Sequence, residues 1–128
     1  MIAIDTNIVI RALTDDDVAQ TERVRALLAE EQLFVATTVL LETVWVLRSS
    51  YKVTGQRLAD ALEAFIALPQ VHLERPERVR TALRQVRQGY DFADALHHAS
   101  AADAGCDAFV TFDRDFARLR DAPAVRLL

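Results

Sequence analysis

The stretch Met1-Ile2-Ala3-Ile4-Asp5-Thr6-Asn7 decides how the chain is to be read, because an apolar run ends abruptly on a carboxylate. Ile2 to Ile4 is continuously apolar instead of alternating, the pattern of a strand buried on both faces of a parallel sheet. Asp5 then stands at the carboxyl end of that strand, where open parallel α/β sheets bind their ligands. Asp5 is also a good cap for a following helix, a role that Thr6 or Asn7 could fill equally well.

Working outward, the periodicity predicts a short helix from about Asn7 to Leu13. A second helix follows the Thr14 to Asp17 cluster, with Val24, Leu27 and Leu28 on one face, and a short strand runs from Leu33 to Ala36. Thr37 or Thr38 is expected to cap a third helix reaching about Ser50. Thr54 is expected to cap a fourth, with Leu58, Leu62, Phe65 and Ile66 inward until Pro69 stops it. Val71 to Leu73 reads as a brief strand. Pro76 suits the first turn of a fifth helix with Val79, Leu83 and Val86 inward, which Gly89 ends. A sixth helix is expected from about Phe92 to Ala104, closed by Gly105, then a strand at Ala108 to Thr111 and an edge strand at Val125 to Leu128. Strands alternating with helices imply an α/β three-layer α/β/α sandwich with a mostly parallel sheet.

The totals agree with one domain spanning residues 1–128. The 128 residues are 52% hydrophobic and 27% charged with three Gly and three Pro, a globular composition with no repeat. No uncharged stretch is long enough to cross a bilayer and no basic signal peptide opens the chain, so a cytoplasmic protein is expected. The lone Cys106 has no partner for an internal disulfide and reads as a small core residue. A net charge of -4 excludes a protein that coats nucleic acid through bulk positive potential. The cations are nevertheless almost all Arg, suited to bidentate phosphate contact, although a genomic Arg-for-Lys bias gives the same count. Arg80, Arg84 and Arg87 form a stripe on the fifth helix, and Arg11 lies near the first strand end. These four are candidates for contact with the phosphates of a substrate, and a solvated helix face explains the stripe as well.

Three further acids share the character of Asp5. Glu42 has Val39, Trp45 and Val46 as helical neighbours, so it reads as a carboxylate on an apolar face, needing a proton, an Arg partner or a metal. Asp94 lies one turn after Asp91, with His97 and His98 one turn on. Here a cap at Asp91 with Asp94 at the third helical position is the alternative. Asp113 follows the apolar strand 108–112 and is otherwise a polar turn residue. Carboxylates converging in one crevice repel unless a cation neutralises them, and oxygen donors suit Mg2+ or Mn2+, whereas two histidines make a weak zinc signal. Such a centre would hydrolyse a nucleic-acid backbone.

In this order, Asp5-Thr6-Asn7, Glu42 within Leu41-Glu42-Thr43-Val44-Trp45-Val46-Leu47, Asp94-Ala95-Leu96-His97 and Thr111-Phe112-Asp113 resemble a PIN-domain ribonuclease, and most of all the VapC-type toxins. The resemblance spans essentially the whole chain. It implies that Asp5, Glu42, Asp94 and Asp113 are the acidic active-site residues, with Asp5, Asp94 and Asp113 holding the metal and Thr6, Asn7 and Thr111 supporting them. It also implies a Mg2+-dependent endoribonuclease acting as the toxin of a type II toxin-antitoxin pair, with a cognate antitoxin and a homodimeric state. The near neighbours Asp91 and Asp115 leave open which Asp of each pair faces the metal. Two other classes remain on the sequence alone. A phosphoreceiver-like domain would need a late-strand Lys, and Lys52 is the only lysine; a non-catalytic interaction module would use the acids as caps and ion-pair partners.

Overall fold

A computed structural model describes all 128 residues, Met1–Leu128, which divide into two compact units, Met1–Pro76 and Glu77–Leu128. The first unit is built on a three-stranded parallel sheet in the order β1 (Ile2–Ala3), β2 (Leu33–Val35), β3 (Val71–Leu73). Ile2 pairs with Leu33, and Leu33 with Val71. In the central strand Leu33 and Val35 are fully buried on one face, while Phe34 on the other is half-buried. The first strand lacks the burial expected of it. Ile2 is 39% exposed because β1 is an edge of this sheet, and burial begins only at Ile4.

Helix α1 (Thr6–Leu13) starts on Asp5, whose side chain accepts from Ile8 N, satisfying one of the free N–H groups of the first turn. It ends where the Thr14 hydroxyl donates to Ile10 O. Asp17 caps α2 (Val18–Glu30) in the same way through Gln20 N. Helix α3 (Thr37–Ser49) departs from expectation. Ala36 occupies its cap position, neither Thr37 nor Thr38 caps it, and the Glu74 carboxylate just beyond β3 accepts from Thr37 N at 3.0 Å instead. A cap supplied 37 residues downstream is invisible to local pattern. Helix α4 (Gly55–Ile66) buries Leu58, Ala59, Leu62 and Phe65 as its spacing requires.

Helix α5 (Pro76–Arg87), which from Glu77 onward belongs to the second unit, buries Val79, Ala82, Leu83 and Val86. Gly89 takes φ +100, a conformation that L side chains rarely adopt, and turns the chain toward Asp91, the cap of α6 (Phe92–Asp103). Strand β4 (Ala108–Thr111) pairs in parallel with β5 (Ala124–Leu127), Ala108 opposite Ala124 and Thr111 opposite Leu127. Between them lies a single 3-10 turn, Phe116–Arg118, that the sequence pattern does not announce. Its Phe116 is buried and packs edge-on against Tyr90, His98 and Phe109, with ring centroids 5.6–5.8 Å apart. Every strand pairing is parallel, as expected of an α/β fold. No helix is long and apolar enough to cross a membrane. Cys106 is exposed, not a core residue: it follows the Gly105 turn that closes α6.

Candidate functional site

Asp5 and Glu42 belong to the first unit. Capping uses one Asp5 oxygen, Oδ1, and leaves the carboxylate exposed at the start of α1. Thr6 is buried beside it and Asn7 is exposed. Glu42 corrects the sequence reading: it is exposed on α3, and its neighbour Trp45 is 68% exposed, so no buried apolar face surrounds it. It makes no side-chain hydrogen bond or ion pair.

A cleft of about 410 Å3 opens beside Asp5, lined by Asp5, Asn7, Ile8 and Arg11 of the α1 side and by Gln20, Arg23, Val24 and Leu27 of α2. Arg11 is held in it by a network that sequence reasoning missed. Its Nε donates to Gln20 Oε1 at 2.6 Å and its Nη1 to Asp16 Oδ1 at 2.9 Å, while the Tyr51 hydroxyl donates to Asp16 Oδ2 at 2.6 Å. The Tyr51 and Thr14 hydroxyls and the Arg11 charge together hold the Asp16 carboxyl below its usual range, against the opposing effect of burial. The only signal was the Asp15-Asp16-Asp17 run, where one acid caps a helix and the next receives the arginine.

The second unit carries Asp94 and Asp113. Asp91 is the N-cap of α6, its Oδ2 accepting from Asp94 N at 3.1 Å, so the capping alternative holds for Asp91. Asp94 does not return the bond, since an Asp side chain reaches back poorly, and its half-buried carboxylate makes no hydrogen bond or ion pair. Burial, then the charges of Asp91 and Asp113, raise the Asp94 pKa, with His97 opposing them. Asp113 is fixed in a tight turn. Its N–H donates to Thr111 Oγ1 at 3.0 Å, and its Oδ1 accepts from Asp115 N at 2.8 Å and Phe116 N at 3.1 Å. Oδ2 is left over.

The two histidines separate by environment. His97 is exposed, whereas His98 is fully buried with Nε2 2.8 Å from Pro123 O. A carbonyl only accepts, so Nε2 carries the proton. Of the arginine stripe, Arg80 pairs with Glu77 one turn back, Arg84 is exposed and unpaired, and Arg87 is half-buried. Lys52, which a phosphoreceiver would need at a strand end, donates to Ser49 O at the end of α3.

The structure thus brings Asp94 into electrostatic reach of Asp91 and Asp113, and no hydrogen bond joins Asp5 to Glu42. No group of three or more His, Cys, Asp or Glu side chains is arranged to hold a metal ion. The donor chemistry still fits a hard divalent cation. Within the second unit the carboxylate oxygens of Asp94 and Asp113 are the donors such a cation takes, and Asp94 carries a like-charge penalty that a cation would relieve.

Comparison with known proteins returned the PIN domain family model over residues 2–122. Solved structures similar to the chain include the sarcin-ricin-loop-cleaving toxin VapC20 of Mycobacterium tuberculosis, with 19% identity, TM-score 0.41, and coverage of 91% of this chain and 92% of that one. Another is a chain of VapBC2 from Rickettsia felis bound to a DNA fragment from its promoter, with 19% identity, TM-score 0.40, and coverage of 99% and 98%. A search among curated proteins gave no match. The family match covers nearly the whole chain and agrees with parallel strands that lead into acid-capped helices, so this chain belongs to the PIN domain family.

Proposed function

We propose that this protein is a divalent-metal-dependent endoribonuclease, residues 1–128 acting as one nuclease domain, and that it serves as the toxin of a toxin-antitoxin pair. Asp5, Glu42, Asp94 and Asp113 are its acidic residues. Asp5, Asp94 and Asp113 would hold Mg2+ or Mn2+, and Glu42 would complete the cage or orient the attacking water. The observation that carries this reading is the state of Asp94: an unpartnered, half-buried carboxylate kept beside two like charges, an arrangement that costs stability. Family membership supports the same assignment.

When bound, a divalent ion would stabilise negative charge on the scissile phosphodiester and activate a water. The chain's own residues do the positioning. The turn at Asp113 locks Oδ1 with two backbone N–H groups and presents Oδ2, and the Thr111 hydroxyl holds the Asp113 backbone from β4. At the start of α1 the Ile8 N–H fixes Asp5 in the same manner, with Thr6, buried, and Asn7, exposed, next in the chain. Glu42 and Asp94 remain free to accept a proton or a cation. Arg84 is the stripe's unpaired candidate for phosphate contact, while Arg80 and Arg87 would exchange the partners they already have for phosphate. Arg11 offers what its internal partners leave free. A cognate antitoxin protein, a homodimer and the cytoplasm complete the reading.

Incubating the purified protein with total RNA, with Mg2+, with Mn2+ and with chelator, and mapping cut ends by sequencing, tests it. Discrete cuts that need metal and vanish in Asp94→Asn are expected. Cutting that persists in chelator, or in folded Asp94→Asn, would overturn it.

A further inference from the structure

The cleft between α1 and α2 has features that the four carboxylates do not use. At about 410 Å3 it falls at the small end of ligand pockets, which run from about 300 to 1,000 Å3. That suits one splayed-out nucleotide. Its walls differ in chemistry. Half-buried Ile8 and Leu27 supply an apolar surface against which a planar ring can pack, with buried Val24 completing the lining, and Asn7 carries a side-chain amide with both donors and an acceptor unengaged. Two cations sit on it in different states. Arg11 is immobilised by Gln20, Asp16 and Tyr51, while Arg23 is exposed and has no acidic partner. Asp5 lines the same cleft, so whatever binds there lies next to one of the acidic residues.

We infer that this cleft seats a single unpaired nucleotide of the RNA strand, its base against Ile8, Val24 and Leu27 and its phosphate on Arg23, and that it thereby sets which base stands beside the cut. Single-stranded RNA is recognised in this way, by unstacked bases packed on side-chain surfaces and hydrogen-bonded at their edges. Asn7 is the group placed to read that edge. The inference rests on the ribonuclease reading for its biological meaning but on the cleft alone for its physics. All eight lining residues belong to the first unit.

The test therefore begins without catalysis. Each of the four 5′-ribonucleoside monophosphates is titrated into the full chain in the presence of EDTA, and the methyl resonances of Ile8, Val24 and Leu27 are followed by NMR. Saturable shifts at these methyls are expected, strongest for one base. Affinity should weaken roughly tenfold in Arg23→Gln, which loses one charge-assisted contact. Shifts should disappear in Leu27→Trp, which fills the cleft, and persist in Cys106→Ser, an exposed position outside the proposed machinery. Absence of shifts with all four nucleotides at millimolar concentration, or unchanged binding in a folded Leu27→Trp, would overturn the inference. So would shifts caused by an acidic apolar peptide and by none of the nucleotides, which would assign the cleft to a protein partner. RNA cleavage by the wild type is scored separately. Cleavage without nucleotide binding sinks this inference alone, and binding without cleavage sinks the nuclease reading alone.

Discussion

Replacing His98 probes how firmly the second unit holds the helix that carries Asp94. His98 lies one turn beyond Asp94 on α6, fully buried, donating Nε2–H to Pro123 O at 2.8 Å and meeting the Phe109 and Phe116 rings edge-on at 5.8 Å each. His98→Phe keeps an aromatic ring in place but strands the Pro123 carbonyl, a loss of about 1–3 kcal/mol. His98→Ala also gives up two ring contacts, each about 0.5–1.5 kcal/mol, and opens a cavity, so its total should reach about 3–5 kcal/mol. Urea denaturation followed by circular dichroism separates the two. With a slope of about 2 kcal/mol/M, the Phe variant's midpoint should fall by about 1 M and the Ala variant's by about 2 M. A Phe variant within about 0.5 kcal/mol of wild type would refute the claim that the imidazole-to-carbonyl bond ties α6 to the segment before β5.

Three other outcomes follow from single residues. Asp94 has a raised pKa in the folded chain, so its favourable contribution is complete below the unfolded carboxylate pKa of about 3.9 and is lost as pH rises through the folded value. In EDTA, Asp94→Asn should therefore be more stable than wild type at pH 7, and the gap should close on acidification; a gap that widens contradicts the burial and like-charge account. Cys106, being exposed, should react with a thiol reagent in the native state without unfolding, and Cys106→Ser should change stability by no more than about 0.5 kcal/mol in thermal denaturation. Gly89→Ala should cost about 1–2 kcal/mol for its φ of +100 alone, because an added Cβ there meets nothing within 4 Å; a neutral result by calorimetry would show that the turn relaxes.

Much of this architecture was legible because helices and strands impose different periods on the same apolar residues. Leu58, Leu62 and Phe65 keep helical spacing and are buried together, and Leu33 and Val35 mark a central strand. What periodicity cannot give is which side of an element faces solvent once the pattern is broad. Val39, Trp45 and Val46 around Glu42 look like a buried stripe, yet Trp45 is largely exposed and Glu42 with it. Cys106 was misread for a related reason: small and apolar by type, it sits just past a helix-closing glycine, where the chain returns to the surface. Long-range partners were also out of reach, as with Glu74 capping α3 and Tyr51 bonding Asp16. The acidic positions were legible as types and in order, but not their local duties. Asp5, Asp91 and Asp113 each hold backbone N–H groups, and only Asp94 and Glu42 stand free.

Mn2+ uptake measured by electron paramagnetic resonance, comparing wild type with Asp5→Asn, Asp94→Asn and Asp113→Asn, tests the central claim most directly. The account predicts a saturable Mn2+ site in the wild type that Mg2+ displaces and that each variant weakens, while circular dichroism shows each variant still folded. Equal Mn2+ uptake by wild type and all three variants, or none by the wild type, would contradict it.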